Sequence, residues 1–135
     1  MALQIEAVNP HELIEFIPQF AGERAKAEKD ADYKPLLFHL RRMTEREAEA
    51  FNEFRVVDGE IEINQEDCAR IAIRHAVKIE NFQLRTPGGV AVTIGSGEQF
   101  AEYRDQLPGG LKHLVTEVAI EVIRLSSLTE EEGKN

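Results

Sequence analysis

The sequence predicts a single α+β domain over residues 1–135, with short antiparallel strands and hairpins in the first two thirds, about four packing helices and a long C-terminal core helix. Three observations predict this class. Apolar and polar residues alternate in short segments before residue 95, turn residues separate those segments, and an apolar stripe at helical spacing runs through residues 111–125.

The first two strands flank a polar segment. Residues 12–17 mix β-branched and aromatic types and stop at Pro18, so they predict a short strand near a sheet edge. Residues 19–34 are polar with mixed charge, and they predict a mobile surface loop or a frayed helical turn. Residues 35–41 predict the clearest strand. One face of it carries Leu36, Phe38 and Leu40.

Capping signals place the next helices. Thr44 and Glu47 have the spacing of a capping box, which predicts a helix to about Phe54 that buries Ala48 and Phe51. A second helix follows, with Asn64 as its predicted N-cap. Its apolar stripe consists of Cys68, Ile71, Ala72, His75, Ala76 and Ile79.

Two hairpins are predicted from their turns. Asp58-Gly59 suits a type I′ turn between strands at residues 55–57 and 60–63. A Thr-Pro-Gly-Gly turn joins strands at residues 81–85 and 90–94, because proline presets one turn dihedral and glycine permits a positive one.

The C-terminal part is predicted to be helical. Ser96 and Gln99 again have capping-box spacing and open a short helix with Phe100, Tyr103 and Leu107 inward. Pro108 suits the first turn of the long helix. The apolar stripe of that helix comprises Leu111, Leu114, Val115, Val118, Ala119, Val122 and Leu125.

Ile120 and Ile123 make the stripe of the long helix wider than a surface helix usually carries. Two interpretations remain open. The helix is the central core helix, covered by the sheet and the helix at residues 65–79, or part of it lies in an exposed groove or dimer seam. Residues 127–135 are predicted to form an acidic, solubilising tail, in which Thr129 and Glu132 have capping-box spacing.

Composition excludes several classes of function. The net charge of −9 argues against a nucleic-acid partner, which would require clustered Lys and Arg. No apolar run is long enough for a membrane span, and the first residues lack the pattern of a signal peptide. A single cysteine, Cys68, suits a reducing compartment. We therefore expect a cytoplasmic protein.

No catalytic or metal-binding motif stands out in the sequence. Cys68 and His75 lie seven residues apart on one predicted helix face, where they form either a metal or enzyme site or a buried thiol and a core histidine. Glu117 and Glu121 are interpreted as a solvated helix face. We expect no catalytic residue, no metal and no cofactor.

Three stretches of the chain resemble the tail assembly chaperones and related small tail-assembly proteins of bacterial phages and prophages. The stretches are Asp32–Phe51, Ala76–Phe82 followed by Gly88–Val92, and Leu107–Pro108 followed by Leu114–Val118, Ile123 and Ser126–Asn135. The resemblance implies a non-enzymatic protein of the bacterial host cytoplasm. It also implies that this protein binds the tape-measure or tail-tube protein and keeps it soluble until the tail polymerises.

A helix-lined groove is the physical form that such binding would take. The residues predicted to line it are Phe100, Tyr103, Leu114, Val118 and Val122. The alternative is a small homo-oligomeric binding or regulatory domain, with the apolar helix face buried against a second copy of the chain.

Overall fold

The structure, a computed structural model, describes residues 2–51, 55–58 and 60–127. It mixes helices with antiparallel strands, so the predicted α+β class is confirmed. The strands are β1 (Ile14–Phe16), β2 (Leu37–Leu40), β3 (Arg55–Val57), β4 (Glu60–Glu62), β5 (Ala76–Glu80), β6 (Gln83–Arg85) and β7 (Ala91–Thr93). The α-helices are α1 (Glu23–Lys29), α2 (Glu45–Ala48), α3 (Gln65–His75), α4 (Gly97–Glu102) and α5 (Lys112–Ser126).

The largest sheet of the described residues has the order β1-β2-β5, with both pairs antiparallel. β1 lies at an edge, as the proline after it predicts. In β2 the alternation is also confirmed, since Phe38 and Leu40 are buried together with Leu36 just before the strand. One face of this sheet therefore covers the core.

The sequence predicted a helix whose apolar stripe reaches Ile79, and this prediction is wrong beyond residue 75. α3 ends at His75, and the next residue begins β5 with no loop between them. The backbone N–H of Arg41 donates to the His75 carbonyl at 3.0 Å, and Ile79 pairs with Phe38 across the sheet. Pairing with β2 outweighs the helical spacing, because Val77 and Ile79 are β-branched and suit a strand.

The three predicted N-caps at Thr44, Asn64 and Ser96 are confirmed. Each side chain accepts a hydrogen bond from the backbone N–H three residues later, at 2.8 to 3.3 Å. At Thr44 the capping box is complete, because Glu47 accepts from the Thr44 N–H at 3.1 Å.

α2 is shorter than the sequence predicts. It ends at Ala48 rather than near Phe54, which lies outside the described residues. Its last turn tightens, since the N–H of Phe51 donates to the Ala48 carbonyl three residues back. Phe51 is buried as predicted, whereas Ala48 is only half-buried.

The segment at residues 19–34, predicted as a mobile surface loop or a frayed helical turn, contains the seven-residue helix α1. The cause is a tertiary contact that local sequence does not show. Glu117 of α5 accepts hydrogen bonds from the backbone N–H groups of Gln19 at 2.6 Å and Phe20 at 3.1 Å. Glu117 is therefore an anchor for this segment and not the simple solvated side chain that was predicted.

Both hairpins are confirmed with slightly shorter strands. Val57 pairs with Glu60 across the two-residue turn, and Asp58 has the positive φ, 51°, that a type I′ turn requires. In the second hairpin, Arg85 pairs with Ala91. The capping spacing of Thr129 and Glu132 lies outside the described residues, together with nearly all of the acidic tail.

The long helix is a core helix. A short 3-10 helix, Gly109–Leu111, leads into α5, which packs along α3. Of the two interpretations left open, the core helix is the one that fits Ile123, which is 1% exposed, whereas Ile120 is half-buried. The buried residues of α5 are Leu114, Val118, Ala119, Val122 and Ile123.

Candidate docking cleft

The predicted partner-binding face of α5 is covered by its own fold. Leu114, Val118 and Val122 are 1%, 2% and 0% exposed, because α3 and the sheet pack on them. These three side chains stabilise the core and are inaccessible to a partner in this conformation. The groove predicted on this face is therefore corrected to a buried core face.

The two aromatic residues of the predicted site lie nearer the surface. Phe100 of α4 is buried and packs edge-to-face on Phe82, with 6.2 Å between ring centroids and 85° between planes. Tyr103 is half-buried against the core. Phe100 also lines a cleft that opens where α4 approaches α3 and the start of α5.

This docking cleft has a volume of about 180 Å³. Its residues are Gln65, Ala69, Phe100, Arg104, Leu107, Pro108, Gly109, Leu111, Lys112 and Val115. Pockets for small molecules usually measure about 300–1,000 Å³. The docking cleft therefore suits one or two side chains of a protein partner better than a cofactor.

The rim of the docking cleft is cationic. Arg104 and Lys112 are exposed there, and the lining includes no carboxylate among the described residues. Gln65 fixes one end, because its side-chain Nε2 donates to the Lys112 carbonyl at 3.3 Å and to Thr116 Oγ1 at 3.0 Å. On a chain with a net charge of −9, this is a local reversal of charge that favours an acidic flank in the partner.

Sequence reasoning missed most of this lining. Leu107, Leu111 and Val115 were assigned to the core, and Arg104 and Lys112 received no role. The sequence signal that could have indicated the docking cleft is the break at Pro108-Gly109-Gly110. A new helix that begins after this break leaves a gap beside the end of the previous helix. Which flanking side chains line that gap depends on packing against α3, which local sequence does not encode.

Cys68 and His75 lie inside the core and are inaccessible to a substrate. Burial raises the pKa of the Cys68 thiol and lowers the pKa of the His75 imidazole, because it disfavours the charged form of each. No group of three His, Cys, Asp or Glu side chains that could hold a metal ion occurs in the described ranges. Cys68 and His75 therefore do not line an accessible cleft, which the enzyme interpretation requires.

A polar cluster surrounds His75. Its Nδ1 lies 2.8 Å from the Ile71 carbonyl oxygen, and a carbonyl only accepts, so Nδ1 carries the proton. Its Nε2 lies 3.5 Å from a Glu47 carboxylate oxygen and has no hydrogen-bond partner among the described residues. Arg41 binds Glu47 through two hydrogen bonds, at 2.8 and 2.9 Å. The pKa of Glu47 falls to about 2, chiefly because of Arg41.

No known protein family, curated protein or solved structure matches the chain. Among the described residues, no helix combines the length and the apolar content that a bilayer span requires.

Proposed function

We propose that this protein is a non-enzymatic assembly factor that binds an apolar segment of a phage tape-measure or tail-tube protein before the tail polymerises. The docking cleft is the observation that carries this proposal, because it presents apolar walls and a cationic rim at the surface. The resemblance to tail assembly chaperones supplies the class of client and its setting in the bacterial cytoplasm.

The chemistry of the docking cleft defines the client segment that it would bind. One or two bulky apolar side chains fill about 180 Å³, and an adjacent Asp or Glu of the client pairs with Arg104 or Lys112. Such a contact is small compared with a stable protein–protein interface, so the client remains displaceable by the growing tail.

Co-expression with the client tests this function. We expect this chain to raise the soluble fraction of a tape-measure or tail-tube protein, and reversal of the rim charge with Arg104→Glu and Lys112→Glu to reduce that effect. The matched control reverses one exposed arginine and one exposed lysine outside the docking cleft, with Arg85→Glu and Lys34→Glu. Client solubility that is unchanged by the wild-type chain would contradict the proposal.

A second pair of variants tests the site itself. Gly109 lines the docking cleft and Gly110 does not, and a Cβ at either position meets no atom within 4 Å. We expect Gly109→Phe to block binding of the client and Gly110→Phe to leave it unchanged, as measured by pull-down with purified client. Equal binding by both variants would place the client elsewhere on the molecule.

The homo-oligomer alternative was predicted with the apolar face of α5 in the self-interface, and burial of that face within one copy of the chain speaks against this arrangement. A different apolar segment, at the beginning of the chain, favours self-association.

A further inference from the structure

The N-terminal arm, residues 2–8, carries apolar side chains that the fold leaves uncovered. Leu3 and Ile5 are 58% and 53% exposed, and Val8 is also exposed. Within the described part of the chain, six large apolar side chains are exposed, and four of them lie in residues 3–13. Exposed apolar residues are usually scattered singly, so this concentration indicates a contact surface.

The root of the N-terminal arm is fixed beside β1. Asn9 to Glu12 form a turn in which the Glu12 N–H donates to the Asn9 carbonyl at 3.2 Å. The Glu12 carboxylate pairs with Arg42 at 2.7 Å, and Arg42 also donates to the Leu125 carbonyl at 3.1 Å. The turn that follows the N-terminal arm is therefore fixed at Glu12, two residues before the first residue of β1.

Among the described residues, no strand pairing joins the N-terminal arm to its own β1, and the conformation of this turn disfavours such a hairpin. Two-residue hairpin turns need a positive φ at the first or at both central positions. Proline fixes a negative φ at Pro10, and His11 is not among the described residues with a positive φ. If Asn9 and Glu12 closed a hairpin, Glu6 would also face Glu15, and like charges directly opposite each other destabilise a strand pair.

β1 offers an acceptor edge for such an arm. It is an edge strand, and no backbone hydrogen bond among the described residues joins another strand to its outer side. A cleft of about 530 Å³ lies beside the end of β1, between this strand, α1 and Leu37 of β2. Its apolar lining includes Phe16, Ile17 and Ala27, and its charged groups are Arg24, Glu15 and Glu28.

We propose that the N-terminal arm of one copy adds as a β-strand to the outer edge of β1 in a second copy, so that two chains exchange arms. Extended, its seven residues reach about 23 Å, which is enough to cover β1 and its flanks. Leu3 and Ile5 then share one face and pack in the cleft beside β1. A strand edge supplies main-chain hydrogen bonds, and the cleft supplies specificity.

Cross-linking between two different single variants tests the arrangement. Full-length chains with Glu15→Cys are mixed with chains carrying Ile5→Cys or Glu6→Cys, two neighbouring arm positions that present opposite faces of a strand. The native Cys68 is buried and does not compete. Under mild oxidation we expect a covalent heterodimer from one of the two mixtures. The proposal would be overturned if neither mixture gave a heterodimer. It would also be overturned if a single chain carrying both cysteine substitutions formed an internal disulfide and kept the mass of a monomer.

Mass in solution provides a second, independent test. Light scattering of the wild-type chain is expected to show a dimer, and Leu3→Ser with Ile5→Ser is expected to weaken it by roughly 100-fold. The matched control is Val77→Ser with Val90→Ser, which removes two other exposed apolar side chains and leaves the dimer intact. A monomeric wild type, or a dimer insensitive to the arm substitutions, would refute arm exchange. Neither result depends on a tail protein, so this test fails or succeeds separately from the proposed function.

Discussion

His75 shows how burial converts an ordinary titratable side chain into a source of pH-dependent stability. The ring is wholly buried, and Nε2 faces Glu47 without making a hydrogen bond to it. Arg41, Glu47 and Arg74 are the charged groups around it. Because desolvation outweighs the carboxylate, the neutral imidazole is the favoured form in the folded state.

The first prediction concerns acid unfolding. A lowered folded-state pKa means that the unfolded chain binds the proton more tightly, so the contribution of His75 is complete above pH 6.5 and declines as pH falls through the folded pKa. Glu47, with a pKa of about 2, contributes stability above pH 4.5 that is lost toward pH 2. We expect each group to add a slope of up to about 1.4 kcal/mol per pH unit in its own window.

Denaturant unfolding between pH 4 and pH 8 measures this slope. His75→Gln is expected to remove the upper part of the slope, whatever its effect on overall stability. The matched control for the substitution itself is His113→Gln at an exposed position of α5. A pH dependence that persists in the His75 variant would contradict the assignment.

Gly97, the first residue of α4, packs against the end of α3. A Cβ there would clash with the carbonyl group of Ile73 and lie 3.0 Å from the Ala76 carbonyl oxygen. Gly97→Ala should therefore destabilise the protein by about 2–3 kcal/mol, although alanine usually favours a helix. Urea unfolding checks this value. Gly109→Ala, which meets no atom within 4 Å, should change stability by less than about 0.5 kcal/mol.

At the scale of the elements, α5 organises the molecule through both of its faces. Its buried face forms the core with α3, while Glu117 on the other side holds the chain before α1. Arg24 of α1 reinforces this contact, since its guanidinium lies 3.9 Å from Glu117 and donates to the Ile17 carbonyl. The short helix α1 buries no residue of its own, so its position depends on these polar contacts.

Removing Glu117 tests that dependence. In Glu117→Ala, the N–H groups of Gln19 and Phe20 lose their acceptor, at a cost of about 1–3 kcal/mol to the local structure. We expect hydrogen exchange at residues 19–29 to accelerate by roughly tenfold or more. The control is Glu121→Ala, which removes a pairing with Arg124 on the same helix. Unchanged exchange in the Glu117 variant would show that α1 is held by other contacts.

The elements that the sequence predicted are those that local chemistry determines. The N-caps at Thr44, Asn64 and Ser96 depend only on a backbone N–H group three residues later. The turn at Asp58 depends only on the dihedral angles of its own residues. β5 was missed because Ala76 and Ile79 continue a helical stripe, and only pairing with β2 overrides it. The docking cleft was missed for a similar reason, since three helices meet to form it.

At the scale of the whole molecule, charge and apolar surface are distributed unevenly. The chain is acidic overall, yet the docking cleft has a cationic rim, and the uncovered apolar side chains concentrate near the start of the chain. These two surfaces lie on different elements: α3, α4 and α5 form one, and the N-terminal arm with β1 forms the other. On the two proposals above, one copy would therefore be able to bind the client and a second copy at the same time.

The direct join between α3 and β5 links these surfaces mechanically. Gln65 and Ala69 of α3 form one wall of the docking cleft, and the far end of the same helix becomes a strand of the sheet to which β1 belongs. With no loop to absorb displacement, we expect the motions of the helix and the sheet to be coupled. On the two proposals above, ordering of either surface would then reduce the motional entropy of the other, so that a second binding event would cost less than the first.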